Sequence, residues 1–440
     1  MKPHIIIILM DTLRKDAFDK WLKEYNGEYK SIVENSFIFE NARAPSSWTL
    51  PSHMSLFTGL YPSEHGIHER DKDRTLDTIY NSRNYSGKFL MDFAEENGYS
   101  TSGFSANPVL SLSGIAGGFN NFFPINSSFE FQPEVFLLRD DFKKYLQISS
   151  KIKAVKFLIK KNPYRGTIFT FQRLLHYRSE LLRPTCKYFR KIVDKFKYSV
   201  RFDSPQFIFF NFMEMHEPYT RMNNTINIEF ENMFGYKKLN KANLYKIRHV
   251  YFKQIWKLTY IFDSIISKLI SEDQLENSII IITSDHGQAL NEMGYYGHGI
   301  YNYDEISRIP LFIHIPEKMT KSKIYDKQIN TSLVNLYDFI KDIIINENMS
   351  LDKLKSNIVV CESYGIPNNI PPEFKDKPNF ETIKKRIDVP RKSLFRNNIK
   401  LTLNASGEVE EFNGTERDYI DLIDFLSIFT VDHNFTIPEV

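Results

Sequence analysis

Three short runs of apolar residues limit what this chain can fold into more than any other feature. They are His4–Met10, Gln206–Phe212 and Ser278–Thr283, and isoleucine or phenylalanine fills more than half of each. Neighbouring side chains on a strand point to opposite faces, so an apolar run without alternation predicts a strand buried on both faces. The long stretches between the runs leave room for covering helices. We therefore expect an α/β fold around a mostly parallel sheet.

Residues that bind metals or transfer protons follow each of these runs. Asp11 comes directly after the first, His216 follows shortly after the second, and Asp285 and His286 come just after the third. Sites in open α/β sheets form beyond the carboxyl ends of the strands. A carboxylate beside an imidazole at such a place suits a borderline divalent ion such as Zn²⁺ or Mn²⁺.

A further stretch, residues 47–66, combines small hydroxyl residues with the start of a short helix. Thr49 lies just ahead of Pro51, a residue that favours the first turn of a helix, and Gly59 predicts its end. Unpaired N–H groups at a helix start attract anions, and a hydroxyl held there can attack phosphorus or sulfur. The alternative is that Thr49 only caps the helix, because Thr is a preferred N-cap residue.

This stretch resembles the nucleophile segment of the alkaline phosphatase superfamily, and of its sulfatase-like branch in particular. Sulfatases carry a Cys or Ser, one further residue, then Pro, Ser and Arg, and a Leu-x-Thr-Gly ending. The matching residues here are Thr49, Pro51, Ser52 and His53, followed by Leu-Phe-Thr-Gly. Thr at the first place is typical of the phosphodiesterase relatives. Thr49 cannot become formylglycine, so the resemblance favours phosphoryl chemistry.

The resemblance also implies a fold and a metal site. The fold is an alkaline phosphatase/sulfatase-like α/β sandwich, with a mostly parallel central sheet between helices and a small C-terminal antiparallel β subdomain. The implied metal ligands are Asp11, Thr49, Asp285 and His286, and the implied cofactor is a divalent ion, Zn or Mn, with Ca or Mg as alternatives. Sulfatases carry a second Asp after the first; Thr12 stands there, which leaves a smaller ligand set.

Four further residues take roles from the same resemblance. His216, in a His-x-Pro-Tyr sequence, is expected to be the general acid for the leaving group or a ligand of a second metal. His298 is expected to bind the transferred group, with a histidine held inside a glycine turn as the alternative. Asn107 is expected to contact a phosphoryl oxygen, although Asn before Pro is also a turn signal. His53 is expected to contact substrate in place of the family's Arg.

A basic segment at about 131–203 interrupts the resemblance. Lys and Arg alternate there with apolar residues at helical spacing. It is either a helical insertion with a solvated basic face or a cap that lies on an anionic surface, such as inner-leaflet lipid or a charged glycan. The net charge of +3 over 440 residues gives no indication of nucleic-acid binding. The first apolar run is too short to span a membrane, so we expect a cytoplasmic protein, wholly soluble or peripheral at the inner membrane face.

Together these features predict two domains and an enzymatic function. Residues 1–355 would form the sulfatase-like catalytic domain, and residues 356–440 a C-terminal α+β subdomain. The expected activity is metal-dependent hydrolysis or transfer of phosphodiester-type phospho- or sulfo-esters through a covalent phosphothreonine at Thr49, on a glycan or lipid-linked substrate. The alternatives are a sulfatase, which hydrolyses sulfuric esters, and a catalytically silent protein that binds glycans or membranes.

Overall fold

A computed structural model of the chain describes residues 2–69, 74–125, 188–217, 219, 225–320, 325–347, 349–429 and 435–438. Most of the basic segment, residues 131–187, lies outside the described residues, and so does its predicted contact with an anionic surface. Within the described ranges, no helix has both the length and the apolar character needed to cross a membrane.

The three apolar runs form β-strands with the predicted bounds. In chain order the strands are β1 (His4–Met10), β2 (Phe37–Phe39), β3 (Asn41–Arg43), β4 (Ser100–Ser105), β5 (Asn121–Pro124), β6 (Gln206–Phe212), β7 (Ser278–Thr283), β8 (Ala289–Leu290), β9 (Tyr296–Gly297), β10 (Leu311–His314), β11 (Asn330–Ser332), β12 (Val359–Tyr364), β13 (Pro390–Arg396), β14 (Ile399–Asn404) and β15 (Val409–Asn413).

Seven of these strands form the central sheet, in the order β2-β10-β7-β1-β6-β4-β5. The five strands from β7 to β5 run parallel, and β10 is antiparallel to both of its neighbours. In the middle of the sheet, Ile7 of β1 pairs with Phe209 of β6 on one side and with Ile281 of β7 on the other. The predicted mostly parallel central sheet is confirmed.

Helices of two core layers cover both faces of this sheet. In chain order, the α-helices of the described ranges are α1 (Lys15–Glu24), α2 (Lys30–Glu34), α3 (Thr49–Thr58), α4 (Pro62–His65), α5 (Arg74–Arg83), α6 (Leu90–Glu96), α7 (Pro108–Leu112), α8 (Gly114–Gly117), α9 (Phe189–Ser199), α10 (Thr225–Met233), α11 (Lys241–Gln254), α12 (Trp256–Ser271), α13 (Asp304–Ser307), α14 (Leu333–Asn346), α15 (Phe380–Ile387) and α16 (Glu416–Phe429).

Side-chain alternation along the strands produces two separate core layers. Ile5 and Ile7 of β1 pack with apolar residues of α3, α6 and α14, whereas Ile6 and Ile8 pack with those of α1, α9 and α12. All four isoleucines are fully buried. Full burial of such a side chain contributes on the order of 1.5–3 kcal/mol, so the strand that carries Asp11 at its end is fixed from both faces.

A second, smaller sheet follows in the chain. Strands β12, β13, β14 and β15 pair antiparallel in that order, and α16 packs against one face. The expected C-terminal antiparallel sheet is confirmed, while the division into domains at 355/356 stays a prediction. Glu362 of β12 is joined to the chain just before α3, because its N–H donates to Pro45 O (2.9 Å) and its carbonyl accepts from Ser46 Oγ (2.9 Å).

One helical region differs from the sequence pattern. The apolar periodicity predicts one long helix over 244–269, but the structure has α11 and α12, which meet at Ile255. The N–H of Leu258 donates to Ile255 O, three residues back, and this tighter turn begins the new helix. Helix α9, near the end of the basic segment, buries Phe189, Val193 and Phe196 in the core, so this part is a layer of the main fold.

Candidate active site

The site lies beyond the carboxyl ends of four neighbouring strands, β7, β1, β6 and β4. Asp11 follows β1, Asp285 follows β7, Asn107 follows β4 and His216 follows β6. The N–H of Asp11 donates to Phe212 O at 2.8 Å, which continues the β1–β6 pairing to the edge of the sheet. The parallel arrangement therefore brings together side chains that are far apart in the sequence. Asp11 and Asp285, for example, are 274 positions apart.

Thr49 is the first residue of α3 and lies over this edge. Its Oγ1 is 3.3 Å from Asp11 Oδ2 and 3.4 Å from His286 Nε2, and the residue is 5% exposed. The residue before it, Trp48, has extended backbone angles and takes the N-cap position. Thr49 therefore does not cap the helix, and its hydroxyl is directed to Asp11 and His286. Gly59 ends α3 in the left-handed conformation, as the sequence predicts.

The loop after β7 holds Asp285 and His286 through its backbone. Asp285 Oδ1 accepts from the N–H groups of His286 (2.9 Å) and Thr12 (3.2 Å), which fixes the carboxylate. Gly287 follows, and a Cβ there would lie 2.0 Å from the carbonyl oxygen of Glu305. Only glycine fits this close approach, in which the Gly287 N–H donates to Ile306 O at 2.7 Å.

The hydrogen bonds of His286 fix its neutral tautomer. Its Nδ1 lies 2.8 Å from Gly287 O, and because a carbonyl only accepts, Nδ1 carries the proton. Nε2 therefore presents a lone pair, 3.4 Å from Thr49 Oγ1 and 3.5 Å from Asp285 Oδ2. Burial lowers the pKa of His286, which favours the neutral ring. A neutral imidazole with a directed lone pair is the form that ligates metals.

Asp11, Asp285 and His286 have the properties of a metal site. One donor atom from each lies within 4.8 Å of the other two, and all three residues are fully buried. Asp11 Oδ1 and Asp285 Oδ2 have no hydrogen-bond partner among the described residues. Burial raises the pKa of each carboxyl to about 7, and the charge of Asp285 adds to the effect on Asp11. A divalent cation would satisfy both oxygens and remove the repulsion, so the residues present fit the group.

Asn107 and His53 support the cluster through hydrogen bonds within the protein. Asn107 Nδ2 donates to Asp11 Oδ2 at 2.8 Å, and its Oδ1 accepts from Val109 N, so both ends of the amide have protein partners. His53 is fully buried; its Nδ1 donates to Thr49 O (2.8 Å), its Nε2 lies 3.3 Å from Asn211 Nδ2, and burial lowers its pKa to about 3. Their contacts with substrate stay predictions.

His216 and His298 form a row of imidazoles with His286. The ring centroids of His286 and His298 are 4.6 Å apart, and those of His298 and His216 are 5.3 Å apart. His216 Nδ1 donates to Glu217 O at 2.9 Å. Burial and the two neighbouring rings lower the pKa of His298 well below its ordinary value. The row extends from the candidate metal ligand His286 toward the end of β6, where the resemblance implies that the leaving group lies.

Sequence reasoning missed Gln288 and the backbone role of Thr12 in this geometry. Gln288 Oε1 lies 2.7 Å from His298 Nδ1 and orients that ring; its position right after the Asp-His-Gly motif was the available signal. Thr12 has φ of 60°, an unusual conformation for a β-branched residue, and its N–H reaches Asp285. Its carbonyl accepts from the Tyr251 hydroxyl at 2.8 Å. Nothing in the local sequence indicates this backbone conformation.

Comparisons with known proteins agree with the fold described above. The family model described as Sulfatase matches residues 3–344. An arylsulfatase of Clostridium perfringens is 21% identical over 96% of this chain and 96% of its own length. Among solved structures, a phosphonate monoester hydrolase of Agrobacterium radiobacter has a TM-score of 0.60 at 13% identity, covering 97% of this chain and 93% of that one. A 2-O GAG sulfatase has a TM-score of 0.61 at 15% identity, covering 98% and 91%. The chain belongs to the sulfatase family.

Proposed function

We propose that this sulfatase-family chain is a metal-dependent hydrolase or transferase of phosphodiester-type esters, with Thr49 as its nucleophile. The observation that carries the proposal is the contact of the Thr49 hydroxyl with both Asp11 and His286. A serine or threonine hydroxyl is a weak nucleophile unless a neighbouring base or a metal activates it. Asp11 would act as the neighbouring base. The metal that Asp11 and His286 would help to hold would provide the second kind of activation.

The metal would be held by Asp11, Asp285 and His286, with Thr49 completing the set. The mixture of carboxylate, imidazole and hydroxyl donors favours Zn or Mn over Ca or Mg. A bound divalent ion would polarise the ester's oxygens and lower the pKa of the Thr49 hydroxyl. Support comes from the two buried carboxylate oxygens that have no partner among the described residues.

The side chains themselves would carry out the first displacement. Thr49 Oγ1 would attack phosphorus, forming a threonine phosphoester while the bond from phosphorus to the leaving oxygen breaks. Asp11 Oδ2, 3.3 Å away, is a carboxylate oxygen that can accept the hydroxyl proton. Asn107 would keep Asp11 in place through its 2.8 Å hydrogen bond. Water or an acceptor hydroxyl would then take the phosphoryl group from Thr49. The reaction is hydrolysis when water is the acceptor and transfer when a hydroxyl of another molecule is.

His216 is the proposed acid for the leaving group, and His298 the proposed contact for the transferred group. Protonation of the leaving oxygen as its bond to phosphorus breaks avoids the release of a high-energy alkoxide. His298 lies between His216 and His286 in the row of rings, next to where the ester must sit if Thr49 attacks it. Its low pKa favours a neutral ring there.

The ester class is proposed as phosphodiester-like, with a sulfate ester as the second candidate. Thr49 cannot supply the formylglycine of ordinary sulfatases, and a phosphonate monoester hydrolase shares the fold. The matched arylsulfatase favours the second candidate. A glycan or lipid-linked substrate remains part of the proposal, since solved sulfatases of this fold include one described as acting on GAG.

The test compares wild type with Thr49→Ala and Thr49→Ser in two assays. With bis-nitrophenyl phosphate, Thr49→Ala is expected to lower kcat at least 10³-fold because the nucleophile is lost, whereas Thr49→Ser should keep measurable turnover. Nitrophenyl sulfate should be the poorer substrate. Wild-type activity in Thr49→Ala would overturn the proposal, and faster sulfate than phosphodiester hydrolysis would favour the second candidate. A protein that binds no metal after reconstitution would favour a silent binding protein.

A further inference from the structure

A cleft of about 960 Å³ opens on the surface between α1 and the junction of α11 with α12. It is separate from the row of histidines, and none of the proposed catalytic residues lines it. Trp21 of α1 and Tyr25, which directly follows this helix, form one side, and Tyr245, Phe252 and Trp256 form the other. We call this set of five residues the aromatic groove. Its volume is near the upper end of the range for small-molecule pockets, about 300–1,000 Å³.

The rings of the aromatic groove differ sharply in exposure. Trp21 and Tyr25 are 2% and 4% exposed, whereas Tyr245 is 74% and Trp256 49% exposed. Trp21 is fixed because its Nε1 donates to Thr259 Oγ1 at 3.0 Å. Tyr245 and Phe252 are seven positions apart on α11, which places them on one face of the helix. Exposed rings gathered beside buried ones are typical of a binding surface, since large apolar side chains otherwise leave the solvent.

Basic side chains lie between these rings. Lys20, Arg248, His249 and Lys253 line the same cleft, with Glu24 as the acid among its lining residues. Arg248 pairs with Glu292 at 2.7 Å, and Lys20 lies 3.8 Å from Glu24. Within the described ranges Lys253 forms no ion pair, and it follows Phe252 directly. The lining of the cleft thus combines aromatic rings with cationic groups.

We propose that the aromatic groove binds an anionic oligosaccharide, such as a sulfated or carboxylated glycan of a few sugar units. Sugar rings have apolar faces that stack on aromatic side chains, and the Lys and Arg groups match acidic substituents on those sugars. Aromatic rings alone or cationic groups alone would not indicate this ligand. Their combination in a cleft of this size does. The proposal concerns binding only and does not depend on the chemistry at Thr49.

Two other occupants fit the cleft less well. A membrane surface is broad and flat, whereas the lining residues enclose a cleft of about 960 Å³ between helices. Single-stranded nucleic acid also stacks on aromatic rings, but such binding uses an extended basic track, and the chain carries a net charge of only +3. Both are therefore outcomes of the test.

The groove is connected to the candidate active site through α11. Tyr251 lies on this helix between Arg248 and Phe252, and its hydroxyl donates to Thr12 O and accepts from Arg14 N. Arg14 and Arg248 both pair with Glu292. An oligosaccharide in the groove would therefore lie on the outer side of the helix that supports the loop after Asp11.

The experiment measures binding by isothermal titration calorimetry with the full chain. The probes are a heparin hexasaccharide, uncharged maltohexaose, a six-nucleotide oligo(dT) and phosphatidylglycerol vesicles. The heparin probe should bind more tightly than the other three. Tyr245→Ala and Trp256→Ala should each weaken its binding at least fivefold, and Lys253→Glu at least tenfold with a reduced salt dependence. Tyr80→Ala, a matched change at a tyrosine that is 66% exposed and outside the cleft, should bind like wild type.

Two further measurements separate the groove from the active site. Thr49→Ala should bind the heparin probe with wild-type affinity, and Tyr245→Ala should hydrolyse a small aryl ester at the wild-type rate. The proposal would be overturned if heparin binding were absent from the wild type. It would also be overturned if binding were unchanged in Tyr245→Ala, Trp256→Ala and Lys253→Glu. Equal or tighter binding of oligo(dT) or vesicles, lost in the same variants, would overturn the assignment to an oligosaccharide. Far-UV circular dichroism and melting curves establish that each surface variant is folded.

Discussion

Asp11 and Asp285 are fully buried and lie close together, and their burial makes the stability of the metal-free protein depend on pH. Both pKa values are raised from 3.8 to about 7, so the metal-free folded state keeps protons that the unfolded chain releases between about pH 4 and 7. The free energy of unfolding of metal-free protein should fall as pH rises through this window, by up to about 1.4 kcal/mol per pH unit for each retained proton. Urea unfolding in a chelator at pH 5, 6, 7 and 8 measures this slope.

Asp11→Asn is the control for that slope. Burial also raises the pKa of Glu69 to about 7, so Glu69 contributes a slope of the same sign. The slope of the wild type alone therefore does not show which carboxyl groups cause it. The variant keeps an oxygen that can accept from Asn107 and removes one of the two charges. It should show a shallower slope and be more stable than wild type at pH 8 without metal. An unfolding free energy that is flat or rises with pH in chelated wild type would contradict the account.

At the scale of elements, the loop after β7 determines whether Asp285 and His286 face the cluster. A Cβ on Gly287 would meet the Glu305 carbonyl at 2.0 Å, so Gly287→Ala must displace the loop or α13. We expect a loss of about 2 kcal/mol or more in stability and at least tenfold weaker Zn binding. Chemical denaturation and competition with a metal-sensitive dye measure the two quantities.

Gly117→Ala is the matched change at a helical glycine. A Cβ there meets nothing within 4 Å, and alanine favours the helix, so stability should stay equal or rise by up to about 1 kcal/mol with Zn binding unchanged. If both alanine variants behaved alike, the close approach at Gly287 would not be what fixes the loop.

At the scale of the whole molecule, the metal would link parts that are distant in the chain. Its proposed ligands come from the ends of β1 and β7 and the start of α3, and they meet only in the folded state. Zn at 100 times its Kd should therefore raise the stability by about 2.7 kcal/mol. Differential scanning fluorimetry should show a higher Tm for the Zn-loaded than for the chelated wild type, and no shift for Asp285→Asn. Equal shifts in both proteins would place the bound metal elsewhere.

The sequence predicts the framework of this site better than its fine geometry. Unbroken apolar runs indicate central strands, and parallel strands bring their ends together, so the convergence of Asp11, Asp285 and His286 follows from topology. The hydrogen bond of Asn107 to Asp11 could not be predicted, because it depends on how far apart the ends of β4 and β1 lie in space. The positive φ of Thr12 likewise depends on contacts with Asp285 and Tyr251, which are far along the chain.

The central claim is that the Thr49 hydroxyl attacks the ester. The most direct measurement is mass spectrometry of the intact protein and its peptides after rapid acid quenching during turnover of bis-nitrophenyl phosphate. The account predicts a phosphoryl adduct on the peptide that contains Thr49, formed by wild type and absent from Thr49→Ala. Turnover by wild type with no adduct on Thr49 at any quench time, together with turnover by Thr49→Ala, would contradict it.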